Sequence, residues 1–129
     1  MKSVLLDTNA FLFWTAGAKK LSAKARKVIE DPRNELFLSA VSSWEIAIKF
    51  ALGKLGLPEP PQKFVPSRIV RHGITGIAFE HTDALAVAML PDLHDDPFDR
   101  ALIAQALERD LAIVTSDDRF EAYGVVVEW

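Results

Sequence analysis

Four carboxylates stand out in this sequence because each lies where a short apolar run ends or where a helix-like segment begins. Asp7 directly follows the apolar residues Val4-Leu5-Leu6. Asp117 lies three residues after the end of the apolar run 111–114. Glu45 and Asp99 lie in the first turns of segments with helical spacing. Ligands bind beyond the carboxyl ends of the strands in open α/β sheets, so we expect the four side chains to converge at one edge of a sheet.

Carboxylates held close together repel one another and stay ionised only when a cation compensates their charge. Hard oxygen ligands favour Mg²⁺ or Mn²⁺, and the chain has no cysteine that would favour a softer metal. One or two such ions could activate water and stabilise the oxyanions of a phosphodiester under in-line attack. Four further polar side chains could hold metal-bound waters or the carboxylates themselves: Thr8, Asn9, Ser43 and Ser116.

Each acid also has a purely structural interpretation. Ser42 and Glu45 have the spacing of a capping box, and Asp96 followed by Pro97 fits an N-cap and a first-turn proline. Asp117 could shape a turn. Capping accounts for each acid separately, but it does not require all of them to lie at one edge of one sheet.

The elements that must position these acids alternate between short apolar runs and helical patterns. Continuously apolar strands separated by helices are typical of a parallel sheet that is covered on both faces. We therefore predict a three-layer α/β/α sandwich with a central parallel sheet of about four to five strands. The predicted strands are 4–6, 36–38, 77–79, 111–114 and 125–127, and the predicted helices are 21–30, 42–52, 66–72, 82–90 and 98–109.

Composition restricts the class of protein. The chain has 129 residues, of which 50% are hydrophobic and 26% charged, so we expect one folded domain over residues 1–129 rather than a disordered chain. No apolar run is long enough to span a membrane, and no signal-peptide core precedes Asp7, so we expect a cytoplasmic protein.

The net charge of −3 argues against a general nucleic-acid binder, although the basic residues between positions 19 and 27 form either a solvated helix face or a patch that guides a polyanion.

Several short segments resemble a known family when they are taken together and in order. They are Leu5-Leu6-Asp7-Thr8-Asn9, Ser42-Ser43-Trp44-Glu45-Ile46, Asp96-Pro97-Phe98-Asp99-Arg100 with Ala104-Gln105-Ala106, and Thr115-Ser116-Asp117. The sequence resembles the PIN-domain ribonucleases, specifically the VapC-type toxins of bacterial toxin–antitoxin modules. The DPFDR segment followed by AQA is the most specific part of the resemblance, which extends over essentially the whole chain.

The resemblance implies a PIN-like fold and a metal-dependent endoribonuclease that uses Mg²⁺, with Mn²⁺ as the alternative. It assigns Asp7, Glu45 and Asp99 as the core metal ligands and Asp117 as a less constant fourth acid, with Asp118 beside it as an alternative. It also implies an RNA substrate, a homodimer, and a cognate VapB-like antitoxin that covers the site.

Two other functions stay open at this point. One is an inactive PIN-like module that binds RNA or serves as a scaffold, against which the intact acids argue. The other is an Asp-dependent phosphotransfer domain, but the usual dehalogenase-like pattern needs a second Asp two residues after the first, where this chain has Asn9.

Other residues are given weaker roles. His72, His81 and His94 are too scattered in the sequence to predict a histidine-rich metal site. Trp14 and Trp44 are expected to pack in a core or an interface rather than to stack on bases. Arg100 is expected either to pair with a carboxylate or to contact RNA.

Overall fold

The chain alternates strands and helices, and the computed structural model describes all of its residues, Met1–Trp129. The strands are β1 (Ser3–Leu6), β2 (Glu35–Ser39), β3 (Thr75–Ile77), β4 (Ala112–Val114) and β5 (Val127–Glu128). The α-helices are α1 (Thr8–Thr15), α2 (Ala23–Glu30), α3 (Ala40–Ala51), α4 (Pro61–Arg71), α5 (His81–Ala86) and α6 (Pro97–Arg109). Two 3₁₀ segments, Val87–Met89 and Asp118–Tyr123, complete the secondary structure.

The five strands form one parallel sheet in the order β3-β2-β1-β4-β5. β1 lies at the centre, where Val4 pairs with Leu36 of β2 on one side and with Ala112 of β4 on the other. Because the strands are parallel, the carboxyl ends of β1, β2 and β4 meet at the same edge. The predicted architecture and the predicted number of strands are confirmed.

Helices cover both faces of the sheet, and the central strand contributes to both hydrophobic cores. Val4 and Leu6 belong to the core that also contains Phe11 of α1 and Phe64 of α4. Leu5, which points to the opposite face, packs in the core formed with α6. Val4, Leu5 and Leu6 of β1 are all fully buried, which explains why this part of the strand is continuously apolar rather than alternating.

At the edge where the acids lie, the structure adds a helix that was not predicted, α1, and moves the start of α3. α1 follows β1 directly, because Asp7 caps it by accepting a hydrogen bond from the Ala10 amide at 2.7 Å. α3 begins at Ala40 because Ser39 is its N-cap and accepts from the Val41 amide at 3.1 Å. The capping-box interpretation of Ser42 and Glu45 is therefore wrong, and both residues lie inside the helix.

Other boundaries also move. α4 begins at Pro61, where the missing amide hydrogen costs no helical bond, and Pro66 lies within the helix rather than in its first turn. Gly73 ends the turn after α4 with a φ of 63°, so β3 starts at Thr75, two residues before the predicted strand. The segment predicted as one helix over 82–90 is α5 followed by a 3₁₀ turn, and β5 starts at Val127, two residues after the predicted start at Val125. No helix is both long enough and apolar enough to cross a membrane.

Candidate active site

The carboxyl edge of the sheet carries a group of buried polar side chains. Asp7 follows the central strand, Ser39 ends β2, and Thr115 follows β4. Each of these residues is almost fully enclosed, although their side chains are polar. The buried polar residues contributed by this edge and by the helices that start there are Asp7, Thr8, Ser39, Ser42, Glu45 and Thr115.

Asp7 is a carboxyl group in an unfavourable environment for its charge. Burial raises its pKa to about 6, and the Thr115 hydroxyl and the Ala10 amide oppose this rise by stabilising the ionised form. The negative charges of Glu45 and Asp117 raise the pKa further. Asp7 is therefore both the cap of α1 and part of a group of interacting acids.

Asp99 shows the same behaviour from the opposite side of the site. It lies in the first turn of α6, whose N-cap Asp96 accepts hydrogen bonds from the Phe98 and Asp99 amides. Burial raises the pKa of Asp99 to about 7, with the charges of Asp96, Asp7 and Glu45 adding to the rise and His94 opposing it. The acids that the sequence predicts to converge do therefore influence one another's ionisation.

Glu45 is held at both carboxylate oxygens. Thr8 Oγ1 lies 2.7 Å from Glu45 Oε1 and 2.9 Å from Ser42 Oγ, which links the start of α1 to α3. Lys49, one turn later on α3, pairs with Glu45 Oε2. Four polar side chains were predicted to hold metal-bound waters or the carboxylates, and of these only Thr8 contacts a carboxylate of this group. Asn9 and Ser43 line grooves elsewhere on the surface, and Ser116 is exposed.

Asp117 lies at the rim of the site. Arg119 donates to both of its oxygens, with Nε 2.9 Å from Oδ1 and Nη2 2.7 Å from Oδ2. This pairing lowers the pKa of Asp117 to about 2. Asp118 is exposed and begins the following 3₁₀ segment, so Asp117 is the member of the pair that faces the other acids.

His94 joins the site, although sequence reasoning set it aside. Its Nε2 atom lies 3.0 Å from Asp99 Oδ2 and 3.3 Å from Asp117 Oδ2, and its side chain is only 4% exposed. The ligand atoms of these three residues lie within 4.8 Å of one another. The position of His94 just before the acidic run was the one available signal. His72 and His81 have no comparable contacts with the acids.

The structure excludes one of the two alternatives expected for each of two other residues, Arg100 and Trp44. Arg100 does not pair with a carboxylate, because its guanidinium donates to the carbonyl of Pro91 at 2.8 Å and ties that loop to α6, and its contact with RNA stays a prediction. Trp44 is 62% exposed, so it is not a core residue, and its packing in an interface stays a prediction. Its ring meets Phe98 edge-on at 5.0 Å, on the surface beside the acids.

The carboxylate ligands at this edge of the sheet suit a divalent cation. Lys49 and Arg119 compensate Glu45 and Asp117, but neither forms an ion pair with Asp7 or Asp99. Burial is the main cause of the raised pKa values of Asp7 and Asp99, so a bound cation would favour the ionised form of both acids. Carboxylate oxygens are the ligands that hard divalent ions prefer, and Asp7 and Glu45 are close enough to Asp99 to raise its pKa, although the group of ligand atoms within 4.8 Å contains neither of them. The acidic cluster can therefore bind such an ion.

Similarity to known proteins agrees with this arrangement. VapC22 of Mycobacterium tuberculosis, named a ribonuclease, is 30% identical over 123 residues, which cover 95% of this chain and 93% of that protein. VapC16 of the same organism, also named a ribonuclease, is 45% identical over 58 residues, but this match spans only 45% of this chain and 41% of that protein.

Solved structures share the fold at lower sequence identity. The VapBC complex of Salmonella typhimurium bound to DNA contains a chain that superposes with a TM-score of 0.73 at 20% identity, with 99% of this chain and 98% of that chain covered. A chain of VapBC2 from Rickettsia felis, bound to a promoter DNA fragment, gives a TM-score of 0.71 at 15% identity, with 98% and 97% covered. The family model described as the PIN domain matches residues 4–126. The chain therefore belongs to the PIN-domain family.

Proposed function

We propose that this protein is a divalent-metal-dependent endoribonuclease that acts as the toxin of a toxin–antitoxin module. The observation that carries the proposal is the acid group at the carboxyl end of the central strand, where Asp7 and Asp99 have pKa values raised to about 6 and about 7. Burying such groups is unfavourable unless a ligand compensates them, so the arrangement is explained by binding rather than by stability.

In this proposal Asp7, Glu45 and Asp99 hold the ion, and Asp117 completes the site at its rim. The ion is Mg²⁺, with Mn²⁺ as the alternative, since the ligands are hard oxygens. When bound, it supplies an activated water and stabilises negative charge on the phosphodiester. Thr8 orients Glu45 through the contact with Oε1.

RNA is the proposed substrate. Two relatives are named ribonucleases, and one of them aligns over nearly the whole chain. The rim of the site carries the cations Lys49 and Arg119, which can contact the phosphates of a strand that enters it.

We propose that the nuclease domain spans residues 1–129 and that the protein forms a homodimer.

The proposed partner is a small VapB-like antitoxin. The structural neighbours include VapBC complexes, in which a toxin is bound to its antitoxin. An arginine or lysine of the antitoxin would compensate Asp7, Glu45 and Asp99 in place of the metal, since a guanidinium can pair with two carboxylates at once. Such pairing would inhibit the enzyme in two ways. The basic side chain would compete with the metal for the carboxylates, and the antitoxin would block access of RNA to the site.

Cleavage of a mixed RNA pool tests the proposed activity. The purified protein should cleave RNA with Mg²⁺ or Mn²⁺ and stop when the metal is chelated. Asp7→Asn and Asp99→Asn should each lower the cleavage rate by roughly a hundredfold or more, because both lose a charged metal ligand. Asp92→Asn, at an exposed position of the same acidic segment, is the matched control and should cleave normally. Normal cleavage by Asp99→Asn would contradict the assignment of that residue.

A further inference from the structure

His94 is fixed between two elements of the site. It lies in the segment that precedes α6, and its buried ring packs edge-on against Phe120 with the ring centres 6.2 Å apart. Its Nε2 atom reaches Asp99 on α6 and Asp117 after β4. A single ring therefore contacts two acids that the chain contributes from separate segments.

The second ring nitrogen determines where the proton of His94 lies. Nδ1 is 3.1 Å from the backbone nitrogen of Asp96, which can only donate a hydrogen bond. Nδ1 must therefore present its lone pair, and in a neutral imidazole the proton is then carried by Nε2. An Nε2–H group is also what the facing carboxylates of Asp99 and Asp117 require, since ionised carboxylates only accept.

The same contact argues against metal ligation by His94. A histidine that binds a metal through Nε2 uses the lone pair of that atom and donates its Nδ1–H to an acceptor. In this protein Nδ1 faces the backbone N–H of Asp96. A proton on Nδ1 would therefore point at another proton and break this hydrogen bond. Proximity of Nε2 to the acids thus does not make His94 a ligand.

We propose that His94 is a positioning residue whose Nε2–H donates to Asp117 Oδ2 and lies 3.0 Å from Asp99 Oδ2, a bridge that holds both carboxylates at the metal site. Without the bridge, Asp99 and Asp117 would repel each other, and Asp117 would be held chiefly by the exposed Arg119. Because His94 stays a donor, the ion is left with oxygen ligands only. The role rests on the proposed function in one respect, namely that these acids bind a divalent ion.

Nitrogen-15 NMR of histidine-labelled protein tests the bridge directly. We expect Nε2 of His94 to carry the proton and Nδ1 to be unprotonated in the metal-free protein, because Nδ1 faces the Asp96 N–H, and we expect this tautomer to persist when Mg²⁺ is added. The His94 signals are assigned by their absence in His94→Gln. A proton on Nδ1 with or without metal, or protons on both nitrogens, would overturn the proposal.

Metal titration calorimetry on matched variants tests the positioning role. A glutamine amide can place an N–H near the position of Nε2, whereas leucine provides no donor and the shorter asparagine cannot reach the carboxylates. We expect His94→Leu and His94→Asn to lower Mg²⁺ affinity about ten- to a hundredfold and His94→Gln to stay within about threefold of wild type. His81→Gln, at an exposed position on α5, should leave the affinity unchanged.

The outcomes separate the bridge from the function on which it rests. Unchanged affinity in His94→Asn, or equal losses in His94→Gln and His94→Asn, would overturn the positioning role. His94→Asn carries this comparison if His94→Leu does not fold. If the wild-type protein binds neither Mg²⁺ nor Mn²⁺, the proposed function fails, and the tautomer of the metal-free protein still decides whether the bridge exists.

Discussion

Thr8 links the first helix to the third at the centre of the site, because its Oγ1 atom lies 2.7 Å from Glu45 Oε1 and both residues are buried. The hydroxyl has one proton, and the carboxylate is a stronger acceptor than the neighbouring Ser42 hydroxyl. Thr8 is the residue after Asp7, which caps α1, and its hydroxyl orients the Glu45 carboxylate. One short turn of chain controls two of the proposed ligands.

Replacing Thr8 by valine keeps its shape but removes this hydrogen bond. Thr8→Val should lower the free energy of unfolding by about 1–3 kcal/mol, since a buried carboxylate loses a partner. It should also weaken Mg²⁺ binding, because Glu45 is no longer oriented. Thr8→Ser keeps the hydroxyl and is the control. Equal behaviour of Thr8→Val and wild type in chemical denaturation and metal titration would show that Lys49 alone orients Glu45.

Asp7→Asn and Asp99→Asn should separate stability from activity. Because the pKa of each acid is raised in the folded protein, the neutral amide relieves an unfavourable charge. The metal-free variants should therefore be as stable as wild type or more stable, although both lose cleavage activity. Thermal unfolding in the presence of a chelator measures this. A clear loss of stability in Asp7→Asn would mean that capping of α1 outweighs the relief of charge.

Stability of the metal-free protein should fall as pH rises from about 4 to about 7. The pKa values of Asp7 and Asp99 rise from 3.8 to about 6 and about 7 on folding, so the folded protein binds more protons than the unfolded chain in this window. At about 1.4 kcal/mol per pKa unit, the Asp7 shift corresponds to at most about 3 kcal/mol. The lowered pKa of Asp117 acts below this window, where stability falls as pH drops.

Denaturant unfolding across this pH range, with chelator and with Mg²⁺, provides the test. Mg²⁺ should flatten the decline because it favours the ionised acids, and Asp7→Asn should reduce the decline without metal. A metal-free protein that gains stability steadily from pH 4 to pH 7 would contradict the assignment of two acids with raised pKa values.

Lys49 should compete with the metal for Glu45. Its ammonium group pairs with Glu45 Oε2 one helical turn away, so removing it frees that oxygen. Lys49→Met should raise Mg²⁺ affinity and lower metal-free stability by about 1–3 kcal/mol, because the buried Glu45 carboxylate loses its charged partner. Lys63→Met, at an exposed position on α4, is the control. Weaker Mg²⁺ binding in Lys49→Met would show that Lys49 positions Glu45 instead of competing for it.

The sequence was sufficient to predict the sheet and the edge where the acids lie. A buried apolar run that ends in Asp7, and an N-cap formed by Asp96 before Pro97, are local signals, and both appear as expected. The α1 helix was not predicted, because its cap is the same Asp7 that ends the strand and no turn residue separates the two elements.

The contacts that sequence reasoning missed are those that depend on distant segments. His94 reaches Asp117 across 23 positions, and only the packing of the preceding loop on α6 and on Phe120 brings its ring there. Arg100 carries no local sign that it would bind the carbonyl of Pro91. Trp44 has helical spacing typical of a packed residue, but its face of α3 is left open in the monomer.

The central claim is that Asp7, Glu45 and Asp99 bind a divalent cation together, and calorimetric titration of Mg²⁺ tests it most directly. The account predicts that the wild-type protein and Asp92→Asn bind Mg²⁺ with equal affinity, while Asp7→Asn and Asp99→Asn bind it at least about tenfold more weakly, since each loses a charged ligand. Equal Mg²⁺ affinity in all four proteins, or no binding by the wild type, would contradict it.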